Sequence, residues 1–261
     1  MTVLLLCGGL LYLVSYRYFW KAKPIKDKQS PGFDMVSHRG VTIDRPENTL
    51  ESFMAAIERG FNWIELDVVP TKDRALVCSH NFDLERETDS YGYIHHLMLK
   101  DLKSIYTGVN KGYNGGFKIP TLVEVIDSVP DNIGLNIEIK YSSIFDFTGA
   151  RALCRLSNQL ENRSIIISSF NPFLLIYIKI FFTSAPIGFL IDSKKYLWIT
   201  NWIHPNYLHI RGDIIDPEII SLCKEKNIRL IAWTVNNRDA IKWCFNNNVI
   251  GVITDRERCT L

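Results

Sequence analysis

The sequence lacks the cysteine patterns that identify zinc-binding modules or small disulfide-stapled domains. None of its six cysteines form a Cys-x-x-Cys pair, and none have zinc-finger spacing to a histidine. Several lie in apolar segments, where a cysteine packs as a small hydrophobic side chain. We therefore expect no disulfide framework, which fits a reducing compartment.

The sequence also lacks a strong charge imbalance. The formal net charge of the 261 residues is +2, and no basic stripe with interleaved aromatic residues occurs beyond the N-terminal flank. Nucleic acid is therefore not expected as a partner. No glycine-rich dinucleotide loop follows any predicted strand, which argues against an open nucleotide-binding sheet. The content of 47% hydrophobic and 22% charged residues is typical of a folded globular protein.

Residues 1–16 have no charged side chain and are rich in leucine and valine. Arg17 interrupts the apolar run, an aromatic cluster follows, and all nearby lysines lie on the C-terminal side. A spanning helix needs about 20 apolar residues, a length reached here only if Arg17 snorkels. The pattern predicts a membrane anchor at residues 1–22 that passes once, a linker at 23–32, and the remaining domain in the cytoplasm. A cleaved signal peptide is the alternative, although it would carry positive charge before the apolar run.

Apolar strands alternate with helices from residue 33 to the C-terminus. The predicted strands are Phe33–Ser37, Trp63–Val69, Leu76–Ser79, Leu135–Ile139, Ser164–Ser168, Pro186–Leu190, Tyr207–Ile210, Arg229–Val235 and Val249–Thr254. The predicted helices are Asn48–Arg59, Leu122–Val129, Phe145–Gln159, Pro172–Phe182, Asp216–Lys226 (with Asp216 as N-cap) and Arg238–Asn247. About eight strand–helix units predict a parallel sheet and favour a closed (β/α)₈ (TIM) barrel in an α/β domain over residues 33–261. The long polar segment at about 81–120 is predicted to be an insertion after the second strand.

Polar residues stand where the predicted strands end, which is where such barrels place their catalytic groups. Residues two apart on a strand project to the same face, so Glu65 shares a side with Asp67, and Glu138 with Lys140. Three carboxylates in a barrel mouth repel one another unless a cation neutralises them. Ligation by carboxylates alone suits Mg²⁺ or Ca²⁺ rather than zinc.

Two histidines at strand ends, His38 and His80, fit the roles of general acid and general base. Arg39 can bind a phosphate through bidentate hydrogen bonds from its guanidinium group, and Lys140 can bind it through the compact charge of its ammonium group. A divalent metal would polarise the phosphoryl oxygen. Together these groups predict phosphodiester cleavage.

Each of these residues also has a purely structural interpretation. Glu138 and Lys140 could form a salt bridge with each other, and His80 could be a hydrogen-bonded interior histidine. His95 and His96 are typical of a loop surface and receive no role. Because these polar residues fall at the ends of consecutive strand–helix units, we expect them to form a functional site.

The chain resembles the glycerophosphodiester phosphodiesterase family. The matching motifs are His38-Arg39-Gly40 with Pro46-Glu47-Asn48-Thr49, Glu65-Leu66-Asp67-Val68 with Thr71-Lys72-Asp73, His80, Ile119-Pro120-Thr121-Leu122, Asn136-Ile137-Glu138-Ile139-Lys140, Ser168-Ser169-Phe170, Ala232-Trp233-Thr234-Val235-Asn236 and Gly251-Val252-Ile253-Thr254-Asp255. They span about Met35 to Asp255, which is nearly the whole predicted domain.

The resemblance implies hydrolysis of glycerophosphodiesters to glycerol 3-phosphate and an alcohol. It implies that His38 and His80 are the acid–base pair, and that a divalent metal is bound by the set Glu65, Asp67 and Glu138. Arg39 and Lys140 would lie near the phosphate, and Phe170 and Trp233 would contact the substrate, with Trp233 against its glycerol or alcohol part.

The sequence departs from the family pattern at two positions. Asn81 follows His80 where the family usually has Asp, and Glu87 stands where Thr is common. The first change removes a carboxylate beside a catalytic histidine, so it is expected to alter the orientation or the pKa of His80. Neither change removes a proposed metal ligand or proton carrier.

The predicted helix Pro172–Phe182 has only one charged residue, Lys179, whereas an outer barrel helix normally has a polar face. It could be buried beneath the N-terminal segment or lie in a dimer interface. Alternatively it is a membrane-facing surface near the active-site mouth, which would make lysophospholipids plausible substrates and give a lysophospholipase D activity.

Two rival functions remain open at this stage. A barrel of the phosphoinositide-specific phospholipase C or sphingomyelinase D type also uses paired histidines, but the motifs at Asn136–Lys140 and Trp233–Asn236 favour the first family. A catalytically dead, membrane-tethered binding protein would be expected to lack a histidine or a carboxylate of the site, and this sequence keeps all of them.

Overall fold

The computed structural model describes residues 2–25, 34–113 and 116–256, so most of the predicted linker and Phe33 lie outside the described residues. The strands are β1 Asp34–His38, β2 Trp63–Pro70, β3 Leu76–Cys78, β4 Gly134–Ile139, β5 Ile165–Ser169, β6 Ile187–Ile191, β7 Tyr207–Arg211, β8 Arg229–Trp233 and β9 Gly251–Thr254.

Eight of these strands form a closed parallel barrel. Its order is β1-β2-β4-β5-β6-β7-β8-β9, and β9 pairs in parallel with β1 to complete the ring. The third strand is not part of the ring, because β3 turns back and pairs antiparallel with β2, with Val68 opposite Cys78. The prediction of a (β/α)₈ barrel is confirmed, and the apolar stretch at residues 76–79 is a hairpin arm.

The described α-helices precede the first barrel strand or lie in the segments between barrel strands. They are α1 Thr2–Tyr18, α2 Leu50–Glu58, α3 Leu99–Leu102, α4 Leu122–Ser128, α5 Thr148–Arg155, α6 Ser157–Leu160, α7 Pro172–Phe181, α8 Thr200–Ile203, α9 Pro217–Lys226 and α10 Arg238–Asn246. As predicted, Asp216 caps α9 by accepting a hydrogen bond from the backbone N–H of Ile219. The single predicted helix Phe145–Gln159 is instead the two short helices α5 and α6.

The alternation of side chains along each strand divides the barrel into an outer core and an inner stack. Outward residues such as Ile64, Leu66 and Ile137 are completely buried beneath the helices. Inward residues at the base of the ring are apolar and form a cluster of Val36, Trp63, Ile166, Tyr207, Ile231 and Ile253. Nearer the C-terminal ends of the strands, which we call the mouth, the inward positions become polar.

The segment between β3 and α4 packs on its own small core beside the mouth. This core is formed by Val69, Val77, Leu84, Ile94, Leu102, Ile105 and Ile119. Two contacts join it to the loop after β1: Lys111 Nζ lies 3.3 Å from Glu47 Oε2, and the Tyr113 hydroxyl donates to the Thr42 carbonyl at 2.8 Å. The segment therefore forms one wall of the mouth.

The predicted membrane location is wrong. Within the described residues, no helix has both the length and the apolar character required to cross a bilayer. Helix α1 has 17 residues, which at about 1.5 Å per residue fall short of the roughly 30 Å hydrocarbon core. Beyond it the chain packs on the barrel base, where Trp20 stacks on His204 and the Ala22 N–H donates to the Lys226 carbonyl.

The apolar character of α7 is divided between a buried face and an exposed one. Leu174, Leu175 and Ile178 are fully buried against the barrel. Phe173 and Phe181 are exposed by 42% and 61%. Helix α7 is therefore a normal outer helix on its inner side and presents apolar rings to the solvent on its outer side.

Candidate active site

Two neighbouring strands bring three buried carboxylates together at the mouth. Glu65 and Asp67 project inward from β2, and Glu138 projects inward from β4, where it is the register partner of Asp67. Their relative exposures are 3%, 0% and 8%, and one oxygen of each lies within 4.8 Å of the others. We call these residues the carboxylate cluster.

Two positively charged side chains contact the carboxylate cluster. Lys140 Nζ lies 2.8 Å from Asp67 Oδ1 and also pairs with Glu138, so Lys140 bridges two carboxylates rather than making a simple pair with one. Arg39 Nε lies 3.0 Å from Asp67 Oδ2, while its Nη1 donates to Glu47 at 2.8 Å. Arg39 is thus already engaged by two acids, and its contact with a phosphate stays a prediction.

The loop that follows β1 is shaped around Asp67. Asn48 Nδ2 donates to Asp67 Oδ2 at 3.0 Å, and the Asp67 N–H donates to Asn48 Oδ1 at 3.1 Å. Gly40 takes a φ of +84°, where a Cβ would lie 2.4 Å from Ser52 Oγ, so only glycine fits this turn. The turn directs the Arg39 N–H at Glu65 Oε2, a hydrogen bond of 3.1 Å.

The pKa shifts of the carboxylate cluster indicate that the protein's own side chains do not fully neutralise its negative charge. Burial raises the pKa of Glu65, and the charge of Asp67 raises it further. Burial also raises the pKa of Glu138, against the effect of Lys140. The pKa of Asp67 is lowered, because Lys140 and Arg39 together outweigh its burial.

These donors fit a hard divalent cation. The side chains of Lys140 and Arg39 offset only part of the negative charge of the three carboxylates, because Arg39 also pairs with Glu47. A divalent ion would offset the rest. Buried oxygen ligands of this kind are typical of Mg²⁺ or Ca²⁺ sites.

His38 is held by the aspartate that directly follows the last strand of the barrel. Its Nδ1 lies 2.6 Å from Asp255 Oδ1, and Asn236 Nδ2 donates to the other oxygen of Asp255 at 2.7 Å. Burial disfavours the charged imidazole, but the hydrogen bond to Asp255 and the charge of Glu65 outweigh it, so the pKa of His38 is raised. The sequence motifs contained Asp255 and Asn236 but assigned neither a role.

His80 experiences the opposite electrostatic environment. Burial, followed by the positive charges of Lys140 and Arg39, lowers its pKa despite the nearby Asp67. Its Nδ1 lies 3.1 Å from the side-chain oxygen of Asn81. The amide at position 81 thus supplies a hydrogen-bond partner in place of the usual carboxylate, without its negative charge.

One pocket of about 170 Å³ collects the predicted residues. It is lined by His38, Arg39, Glu65, His80, Glu138, Lys140, Phe170 and Trp233. Asp67 is the exception, because it is fully buried beneath the pocket floor. The rings of Phe170 and Trp233 meet edge to face with centroids 5.5 Å apart.

Five other residues line the same pocket and received no role from the sequence, although all but Leu190 stand in the quoted motifs: Asn136, Ser168, Leu190, Thr234 and Ile253. Strand periodicity could have identified Asn136, since it lies two residues before Glu138. The histidines of the insertion, His95 and His96, do not line the pocket. Glu87 also lies outside it and pairs with Lys111 at 3.0 Å.

Comparison with known proteins agrees with this geometry. Residues 38–258 match the model of the glycerophosphoryl diester phosphodiesterase family. A glycerophosphodiester phosphodiesterase of Caldanaerobacter subterraneus subsp. tengcongensis is 32% identical over 85% of this chain and 93% of its own. A Thermotoga maritima glycerophosphodiester phosphodiesterase structure is 30% identical with a TM-score of 0.71, covering 87% of this chain and 96% of its own.

A second structure adds a ligand to this comparison. It is a phosphodiesterase from Oleispira antarctica in complex with the product sn-glycerol-3-phosphate, and it superposes with a TM-score of 0.76 at 26% identity. The alignment covers 86% of this chain and 93% of that one. With the family model matched over most of its length, this chain belongs to the glycerophosphoryl diester phosphodiesterase family.

Proposed function

We propose that this protein is a divalent-metal-dependent glycerophosphodiester phosphodiesterase that releases glycerol 3-phosphate and an alcohol. The observation that carries the proposal is the pairing of two histidines of opposite pKa direction with the carboxylate cluster in one pocket. The family membership and the glycerol-3-phosphate bound by the Oleispira antarctica relative support the same substrate class.

The opposite pKa directions assign the two histidines different roles. Because its pKa is lowered, His80 stays neutral to lower pH than His38 does. His80 therefore accepts the proton of the attacking water. His38 keeps its proton to higher pH, so it protonates the alcohol oxygen as the bond from phosphorus to that oxygen breaks. Asp255 fixes the ring of His38 through Nδ1 and leaves Nε2 for this transfer.

Charge on the phosphoryl group is balanced by the other side chains of the pocket. A cation held by Glu65, Asp67 and Glu138 would supply Lewis-acid polarisation of a phosphoryl oxygen. Lys140 and Arg39 favour the anionic substrate through their positive charge. Lys140 is held in place by its two carboxylate partners, so its ammonium group is positioned before substrate binds.

The proposal is tested by assaying the purified protein on glycerophosphocholine and identifying the products by ³¹P NMR. We expect glycerol 3-phosphate, loss of activity in EDTA, and a fall in kcat of about 10²- to 10⁴-fold in His38→Ala, the usual contribution of general acid catalysis. His96→Ala, which removes an exposed histidine of the insertion, is the matched control and should retain wild-type turnover. A cyclic phosphate as the final product, or an active His38→Ala protein, would contradict the proposal.

The pH dependence of kcat/KM tests the assignment of the two histidines. Activity should be lost at low pH as His80 gains a proton, below its ordinary pKa of about 6.5, and at high pH as His38 loses one, above that value. Asn81→Asp places a negative charge beside His80, so the acid limb should move to higher pH. Asn81→Ala removes a hydrogen bond that favours the imidazolium, so that limb should move to lower pH. If neither variant moves the acid limb, His80 is not the base.

Lysophospholipids are a second proposed substrate class, favoured by apolar side chains beside the mouth. Phe145 is 68% exposed in the loop after β4, and Phe173 begins α7 directly after β5. Their ring centroids are 5.3 Å apart, and the Asn171 side chain joins their loops by donating to the Ile144 carbonyl. Phe170, which lines the pocket, precedes this region by only a few residues, so an acyl chain leaving the pocket would meet the two rings.

Removing the two mouth rings separates the substrate classes. Phe145→Ala with Phe173→Ala should lower kcat/KM for lysophosphatidylcholine about tenfold, because partial burial of the rings is worth about 1.5 kcal/mol. Turnover of glycerophosphocholine should stay unchanged. Phe245→Ala on α10, a phenylalanine exposed by 54%, is the control and should alter neither. Equal loss on both substrates would show that the rings have no selective role toward acyl chains.

A further inference from the structure

Four side chains of alternating charge lead from the pocket to the segment between β3 and α4. Arg39 Nη1 lies 2.8 Å from Glu47 Oε1, and the other oxygen of Glu47 lies 3.3 Å from Lys111 Nζ. Lys111 Nζ lies in turn 3.0 Å from Glu87 Oε2. We call these four residues the ionic chain. Arg39 lines the pocket at one end of the ionic chain, whereas the other three residues do not line it.

The ionic chain is more buried than an ordinary surface salt bridge. The side chains of Arg39, Glu47 and Glu87 are exposed by 14% to 19%, and that of Lys111 by 42%. Burial raises the pKa of Glu87, and the charge of Glu47 raises it further, against the contact with Lys111. Burial would also raise the pKa of Glu47, but the charges of Arg39 and Lys111 outweigh it and lower that pKa. Lys111 therefore separates two carboxylates that repel each other.

A tight turn fixes the position of Lys111. It is the last residue of a short 3₁₀ turn, Val109–Lys111, which lies between Gly108 and Gly112 with φ values of +82° and +77°. The Gly108 N–H donates to the Glu87 carbonyl, and a Cβ at Gly108 would lie 2.7 Å from Pro46 Cγ. The turn thus packs directly against the loop after β1, one residue before Glu47.

The contacts of Arg39 set the direction of its guanidinium group. Its Nε lies 3.0 Å from Asp67 Oδ2, and its Nη1 donates to Glu47 Oε1 at 2.8 Å. A planar guanidinium group that is held at two nitrogens has little freedom to turn. Asp67 is fixed by its strand, but Glu47 lies in a loop and is held on its second oxygen by Lys111. The direction of Arg39 therefore depends on a residue outside the pocket.

We propose that Lys111 is a positioning residue for the reaction, because it holds the Glu47 carboxylate that directs Arg39 at the phosphate of the substrate. This inference rests on the proposed phosphodiesterase activity and on the role of Arg39 in it. Glu87, the second acid that contacts Lys111, stands where the family commonly has Thr. The support of Arg39 through Lys111 is therefore a feature of this chain rather than of the family pattern.

Steady-state kinetics on glycerophosphocholine test the role of Lys111. In Lys111→Met, Glu47 and Glu87 have no cation between them, and Arg39 loses its fixed direction. Arg39 binds the phosphate in the bound substrate and in the transition state alike, so KM should rise about three- to tenfold while kcat changes by less than about twofold. Lys111→Arg keeps the positive charge and should have nearly the wild-type KM.

The affinity for glycerol 3-phosphate, measured by calorimetry, is a second readout that needs no turnover. Its Kd should increase in Lys111→Met by about the same factor as KM. In a Glu47→Gln background, adding Lys111→Met should change KM and Kd by less than about twofold, because Glu47 is the residue through which Lys111 acts.

Lys103→Met is the matched control for loosening of the segment. Lys103 Nζ lies 2.5 Å from Glu124 Oε2, so this ion pair joins the same segment to α4, and neither residue lines the pocket. Removing it leaves Glu47 untouched, so KM and Kd should stay at the wild-type values.

Unchanged KM and Kd in Lys111→Met, an equal rise in Lys103→Met, or additive effects in the double variant would overturn the inference and leave the phosphodiesterase proposal intact. A wild-type protein that binds glycerol 3-phosphate but hydrolyses no glycerophosphodiester would instead contradict the proposed function, while the Kd values would still decide the role of Lys111. If the wild-type protein does not bind glycerol 3-phosphate either, both proposals fail.

Discussion

The mutual repulsion of three buried carboxylates is the constraint on which the rest of this site depends. Glu65, Asp67 and Glu138 approach one another inside a barrel, where there is little water to screen them. Lys140 and Arg39 compensate part of their charge, but the raised pKa of Glu65 and Glu138 shows that the compensation is incomplete. A divalent cation would complete it and make the pocket more favourable for an anionic substrate.

The surrounding structure keeps this unfavourable arrangement in place. The parallel register of β2 and β4 sets Asp67 beside Glu138, and the turn at Gly40 brings a backbone N–H to Glu65. Closure of the barrel brings the last strand to the first, which places Asp255 against His38. The two histidines therefore differ because one meets a carboxylate and the other meets an amide and two cations.

Strand periodicity is sufficient to predict that Glu65 and Asp67 share a face, and the alternation of strands and helices is sufficient to predict the barrel. The same reasoning does not predict which strands pair. Glu138 lies beside Asp67 because β3 folds back on β2 as a hairpin, so that β4 is the next strand to pair in parallel with β2. The contact between His38 and Asp255 joins residues 217 apart in sequence, so only barrel closure reveals it. The position of Ser168 in the pocket lining depends on the packing of neighbouring side chains, which composition and spacing do not encode.

The N-terminal segment shows the limit of composition as evidence. Its apolar residues resemble those of a spanning helix. A helix crosses a bilayer only if it is long enough, however, and local contacts determine where this helix ends. Helix α1 ends at Tyr18, whose carbonyl accepts a hydrogen bond from Lys226 Nζ at 2.7 Å on α9. Hydropathy identifies the apolar run but not the tertiary contact at its end.

Calorimetric titration of the purified protein with Mg²⁺ and with Ca²⁺ between pH 6 and 9 tests the central claim most directly. The account predicts one site whose affinity increases with pH through the pKa of about 8 that burial and Asp67 give Glu65, because the bound form is the carboxylate. Glu65→Gln should lose both the affinity and its pH dependence, while the exposed control Glu58→Gln should match the wild type. Unchanged metal binding by Glu65→Gln would contradict the account.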